Sequence, residues 1–120
     1  MEKPVYSTQT DMAVKIENMR NLVYKCAWEK DNGISIQISS ALCKRYCAEA
    51  GWEVIDQALQ IFGGIGYTTE TRVSRIWRDS RVGRIGGGTS EIMVHAASRV
   101  ILKKIQQIAV LQGENYPEVK

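Results

Sequence analysis

The sequence is poor in the residues that usually announce chemistry. One histidine, His95, is the only imidazole, and three cysteines, Cys26, Cys43 and Cys47, make an odd set with no CxxC pair. That excludes a disulfide framework and leaves too few ligands for a zinc site; reduced, partly buried thiols are the expectation. Cys43 and Cys47 are four apart and share a helix face. No apolar run approaches the ~20 residues of a membrane span. The first residues, Met1-Glu-Lys-Pro-Val-Tyr, lack the charged and apolar regions of a secretory signal. No membrane role follows, and a cytoplasmic location (the mitochondrial matrix in a eukaryote) is the default. No stretch alternates apolar and polar residues in the manner of a strand. A net charge of +3 permits phosphate contact without demanding nucleic acid.

What is present reads as helix. With 44% hydrophobic and 24% charged residues, 120 residues suit one globular domain. A chain of this length hides only roughly 65–70% of its unfolded surface, so spare apolar faces call for a partner. Residues 1–9 read as a loose lead-in. From Thr10, the spacing of Met12, Ile16, Met19, Val23 and Cys26 places one apolar side on a helix of about 20 residues. Asp11 lies near its positive end, and Asp31-Asn32-Gly33 stops it. A second helix, Ser35 to Phe62, has Ile38, Leu42, Ala48, Ile55, Leu59 and Phe62 on one side, widened by Tyr46, Ala50, Val54, Ala58 and Ile61. So broad a stripe implies more than one neighbour. Gly51 interrupts it and marks either a kink or a close helix crossing. Gly63 to Thr71 reads as a connection. A third helix, Arg72 to Arg84, turns Val73, Ile76, Trp77 and Ser80 inward. A fourth, Thr89 to Ile108, does so with Met93, Ala97, Val100, Ile101, Ile105 and Ile108. Residues 10–112 thus predict an all-α, antiparallel four-helix bundle, and the polar tail 113–120 is expected to fray.

Two glycine-rich junctions stand out. Gly86-Gly87-Gly88 precedes Thr89 and Ser90, either of which can cap the helix that follows. Bare backbone at a helix N-terminus favours an anion or a carbonyl oxygen. Gly63-Gly64-Ile65-Gly66 follows a helix rather than a strand, so it is not a dinucleotide fingerprint. Arg72, Arg75, Arg78, Arg81 and Arg84 recur every third residue and drift about 60° around the helix per step, so they make no single basic stripe. Ion pairs with Glu70 and Asp79 are the expectation, and a single-strand binder would need interleaved aromatics that are missing. His95 reads as a surface or interface side chain.

Gln60-Ile-Phe-Gly-Gly-Ile-Gly-Tyr67, Arg78-Asp79-x-Arg81 and Gly88-Thr-Ser-Glu-Ile92 together resemble the C-terminal domain of acyl-CoA dehydrogenases. Upstream, Asp11-Met-Ala-Val-Lys-Ile-Glu17 and Ala27-Trp-Glu-Lys-Asp-Asn-Gly33 extend the likeness, which covers Ser7 to Lys103. The resemblance implies a helical bundle, flavin chemistry in fatty acid metabolism, and assembly into a homo-oligomer, a dimer or a tetramer. It implies acyl-CoA and an electron-acceptor flavoprotein as partners of the complete enzyme. Family enzymes carry two further domains, so the chain corresponds to about one third of one. By resemblance, Gln60, Gly63 and Gly64 contact the FAD of a neighbouring subunit. Thr89 and Glu91 contact the subunit's own FAD, and Gly88 lies beside the substrate thioester. Many relatives place a glutamate before that glycine as the base that removes the α-proton. Here the position is Gly87, which has no side chain, as in the long-chain and isovaleryl-type relatives whose base lies on an earlier helix. No catalytic residue is assigned, and the chain alone is expected to be inactive. The competing expectation is a helical assembly module without catalysis.

Overall fold

The computed structural model describes residues 5–112, so the expected polar tail and the first four residues of the lead-in lie outside the description. The elements are α1 (Val5–Asp31), α2 (Gln37–Phe62), a one-turn α3 (Gly64–Tyr67), α4 (Arg72–Arg81), a 3-10 turn (Val82–Arg84) and α5 (Ser90–Leu111). There is no strand among the described residues. The four anticipated helices are α1, α2, α4 and α5; α3 forms inside the stretch that reads as a plain connection.

Helix α1 starts five residues before Thr10, and its hydroxyl donates back to the carbonyl of Tyr6 at 2.9 Å. From Met12 onward its half-buried positions are Met12, Lys15, Met19, Leu22, Cys26 and Glu29, alternating by three and four. Ile16 and Val23, expected inward, are exposed. The two candidate stripes share Met12, Met19 and Cys26, and cross-links to α2 decide between them. Lys15 pairs with Glu53, and Asn18 Nδ2 donates to Tyr46 Oη at 3.4 Å, rolling the helix toward the Lys15 and Leu22 side. The stop is a reciprocal pair of 2.8 Å and 3.1 Å bonds, Ile34 N–H to Glu29 O and Gly33 N–H to Lys30 O. This closure needs φ of +71° at Gly33.

Helix α2 is the element on which α1, α4 and α5 all pack, which accounts for much of its broad apolar side, although Leu42, Ile61 and Phe62, expected on it, are exposed. It runs unbroken through Gly51. A Cβ built there would lie 3.5 Å from Met19 Sδ, so the glycine marks a close crossing with α1 and not a break. Lys15–Glu53 and Asn18–Tyr46 show that α1 and α2 are antiparallel. On α4, Trp77 faces Asp56 and Trp52 of α2 while Gly83 lies over Ala48, so α4 is antiparallel to α2 as well. Val73, Trp77 and Ser80 turn inward as expected, whereas Ile76 is exposed and Ser74 is buried. On α5, Met93, Ala97, Val100 and Ile101 turn inward, but Ile105 and Ile108 are exposed.

Among the described residues the buried apolar side chains are four alanines, Ala41, Ala50, Ala97 and Ala109. Twenty-two large apolar residues of the described part are exposed, among them Trp28, Ile61, Phe62, Ile65 and Leu102, in keeping with the expected spare apolar faces. The accessible surface is 9072 Å², against about 6,500 Å² for a folded monomer of this mass. The radius of gyration, 18.8 Å, exceeds the about 14 Å of a compact domain of this length. The helices pack edge to edge along α2, with their outer faces bare.

Two glycines on this frame behave oppositely. Gly51→Ala adds a methyl in ordinary contact with Met19 and removes a mid-helix glycine, so it should stabilise by up to ~1 kcal/mol. A Cβ at buried Gly66 would lie 2.6 Å from Phe62 Cβ and 2.9 Å from Leu59 O, so Gly66→Ala should cost about 1–3 kcal/mol. Urea denaturation at fixed protein concentration measures both; equal midpoints for the two variants would contradict the assigned packing.

Candidate functional site

The second junction is built where the 3-10 turn hands over to α5. The amides of Ile85 and Gly86 both donate to Val82 O, at 2.9 Å and 2.7 Å, which closes the turn. The chain then reverses through Gly87 (φ +66°) and Gly88 (φ +96°), a region that L side chains rarely adopt. A Cβ at Gly87 would meet nothing within 4 Å, whereas one at Gly88 would run into the end of the Met93 side chain. Backbone is therefore bare at Gly87 and sheltered at Gly88.

Thr89, not Ser90, caps α5: its Oγ1 accepts from Ile92 N–H at 3.2 Å. Ser90 is turned inward, 4% exposed, and its hydroxyl has no partner among the described residues. Glu91 lies in the first turn, where a carboxylate meets the positive end of the helix. Its own backbone amide and then the Thr89 hydroxyl hold this exposed carboxyl below the usual range, with smaller help from the charges of Arg84 and Arg45. The result is an electropositive, glycine-lined helix start.

One contributor to this site was missed in the sequence. Lys44, on α2, donates from Nζ to Gly83 O at 2.8 Å and also to Gly88 O. Its signal was register: Ala41, Lys44 and Ala48 are spaced three and four apart, so a cation occupies the inner stripe of α2.

The first junction lies at the other end of α2. Gln60 is exposed on its last turn, Gly63 (φ +65°) ends the helix, and Gly64 opens α3. A Cβ at Gly63 or Gly64 would meet nothing within 4 Å. The hydroxyl of Thr71 donates to Gly66 O at 3.1 Å and that of Thr68 to Ile65 O at 2.8 Å. Behind them Trp77 Nε1 donates to Asp56 Oδ1 at 2.7 Å, tying α4 to α2. The two junctions are thus not brought together. From Lys44 to Phe62 the axis of α2 spans about 27 Å.

The remaining candidates are dispersed. Arg72, Arg75, Arg78 and Arg81 are exposed, and none is ion-paired among the described residues, contrary to the expected bridges with Glu70 and Asp79. Asp79 on the ten-residue α4 is also exposed. His95 is exposed on α5. All three thiols are free, with Cys43 and Cys47 Sγ 3.9 Å apart. Burial, then the neighbouring Cys47, pushes the Cys43 thiol up to about 11.

The described residues thus form an all-helical domain with bare apolar faces and two backbone-lined junctions. The chain belongs to the acyl-CoA dehydrogenase family: residues 3–102 match its C-terminal domain. It is 60% identical over 95 residues to the probable acyl-CoA dehydrogenase YdiO of Escherichia coli K12, covering 79% of this chain and 25% of that protein. The acyl-CoA dehydrogenase structure from Slackia heliotrinireducens superposes with a TM-score of 0.81 at 45% identity, over 85% of this chain and 27% of that one. The FAD complex of PigA superposes at 0.79 and 25% identity, over 83% and 26%. The matched region therefore spans about a quarter of the length of the relatives. No described helix is long and apolar enough to cross a membrane.

The cap gives a direct test. Thr89→Ala should cost about 1 kcal/mol through the lost cap. It should also move the Glu91 titration back toward the ordinary carboxylate range, because the Thr89 hydroxyl is one of the groups lowering it. A group with a depressed folded pKa stabilises above its unfolded pKa, and that contribution is lost as pH falls through the folded value. Glu91→Gln should therefore flatten the acid limb of a stability–pH curve. An NMR titration in which Glu91 is unmoved by Thr89→Ala would contradict the arrangement.

Proposed function

We propose that the chain is the C-terminal portion of an FAD-dependent acyl-CoA dehydrogenase. It contributes flavin contacts, part of the wall of the acyl site and a homo-oligomer interface to the α,β-dehydrogenation of acyl-CoA thioesters. The observation that carries the reading is the second junction: two positive-φ glycines deliver bare backbone to the capped N-terminus of a 22-residue helix.

The residues fit their share of a flavin. Backbone is open at Gly63, Gly64 and Gly87, and the buried Ser90 hydroxyl beside the cap has no partner of its own. On this reading Thr89 and Glu91 hold one FAD, Gln60, Gly63 and Gly64 hold that of a neighbouring subunit, and Gly88 flanks the thioester. The separation of about 27 Å along α2 supports two different cofactors rather than one. When bound, FAD supplies the acceptor for the β-hydride. Gly88 and the first turn of α5 present amide hydrogens where negative charge on a thioester oxygen is stabilised. Gly87 removes no proton, so the base belongs to a part of the enzyme other than this chain. Acyl-CoA and an electron-acceptor flavoprotein are the partners of the complete enzyme.

The surface supports oligomer formation. About 2,500 Å² more is accessible than a folded monomer of this mass exposes, an area of the size that obligate interfaces bury.

The purified chain should be colourless, associate into dimers or larger species, and oxidise no acyl-CoA with any electron acceptor. Absorbance, light scattering at micromolar concentration and a dye-reduction assay check these in turn. Stoichiometric flavin, a clean monomer or measurable turnover would each contradict the corresponding part. A neighbouring reading frame encoding the remaining three quarters of a dehydrogenase would separate this reading from a helical assembly module without catalysis.

A further inference from the structure

We propose that Lys44 is a positioning residue that sets the direction of the Thr89 amide at the start of α5. The inference rests on the dehydrogenase reading only for what that amide serves. Lys44 is half-buried, and its hydrogen-bond partners among the described residues are two carbonyls, Gly83 O and Gly88 O, with no carboxylate. These carbonyls flank the stretch Arg84–Gly87, so one ammonium holds both ends of the glycine reversal.

The consequence for Thr89 follows from peptide geometry. A trans peptide holds its C=O and N–H in one plane, pointing in opposite directions across the C–N bond, and there is no cis bond among the described residues. Because Gly88 O points to Lys44, the N–H of Thr89 in the same peptide points away from it. A cation on the carbonyl also polarises the peptide and strengthens that N–H as a donor. Gly86, Gly87 and Gly88 are the residues least able to hold such an orientation unaided, since glycine samples more backbone conformations than any other residue. Lys44 thus supplies from below the rigidity that the three glycines lack. The same ammonium adds positive charge beneath the positive end of α5, which favours an anionic acceptor above it.

Three proteins test this: wild type, Lys44→Met, which keeps the apolar stem without the ammonium, and Lys44→Arg, which restores donors and charge. In the full chain, 15N relaxation should show order parameters of Gly86, Gly87, Gly88 and Thr89 falling from about 0.85 to below about 0.6 in Lys44→Met. They should recover in Lys44→Arg, while the Trp77 indole signal stays in place in all three. If Lys44→Met does not fold, the wild type still decides: its Lys44 ammonium should show cross-hydrogen-bond couplings to the Gly83 and Gly88 carbonyls. Loss of loop order with rescue by arginine supports the proposal; an ordered loop in Lys44→Met, or no such coupling in the wild type, overturns it. In a holoenzyme carrying this domain, Lys44→Met should lower kcat per bound flavin at least about tenfold, with Lys44→Arg recovering most of it. Full kcat in Lys44→Met would overturn the positioning role. A wild-type holoenzyme that oxidises no acyl-CoA would instead remove the dehydrogenase reading and leave the relaxation result to decide the role of Lys44.

Discussion

Everything in this domain leans on α2, and it does so through small side chains. Ala41 and Ala50 on α2, with Ala97 on α5, are buried where the helices meet, and Gly51 lets Met19 of α1 come close. Small residues permit near approach of backbones, so dispersion contacts are good, but an alanine brings little apolar area out of water. The polar links gain importance in proportion. Trp77–Asp56, Lys15–Glu53 and Lys44 with its two carbonyls each cross from α2 to a different part of the fold. They fix which face of each helix looks inward, as the roll of α1 toward Lys15 shows.

A frame of this kind has its large apolar residues left over. Trp28, Val23, Phe62, Ile65, Val82 and Ile85 are all exposed. An alanine brings little apolar area out of water, so these faces hold much of the apolar surface that further contacts could bury. The matched region spans about a quarter of the relatives' length.

Periodicity made the helices legible, and their placement less so. The stop at Asn32-Gly33, the cap at the start of α5 and the inward turn of Trp77 follow from local rules that a sequence states directly. The inner face of α1 did not, because two stripes share three residues and only the partners on α2 choose between them. Ile76, Ile105 and Ile108 were placed inward by period alone, which reports where a hydrophobe sits on a helix but not whether anything lies opposite. Ion pairs for the arginines of α4 failed for the same reason: nearness in sequence to Glu70 and Asp79 is not nearness in space. At the site, the glycines and Thr89 were readable because backbone freedom and capping are properties of residue type. Lys44 was not, since its role depends on a contact across more than forty positions.

The distribution of roles along α2 has a chemical meaning. At one end the helix stops at bare backbone around Gly63; near its other end it sends an ammonium beneath bare backbone at Gly88. Gly87 presents no side chain, and Glu91 is the carboxylate in the first turn of α5. On the proposed reading the chain contributes orientation and electrostatics, which depend on rigidity. Rigidity is what three consecutive glycines cannot supply, and it has to come from the scaffold: the turn closed on Val82, the Thr89 cap, and the lysine that joins both sides of the loop to α2.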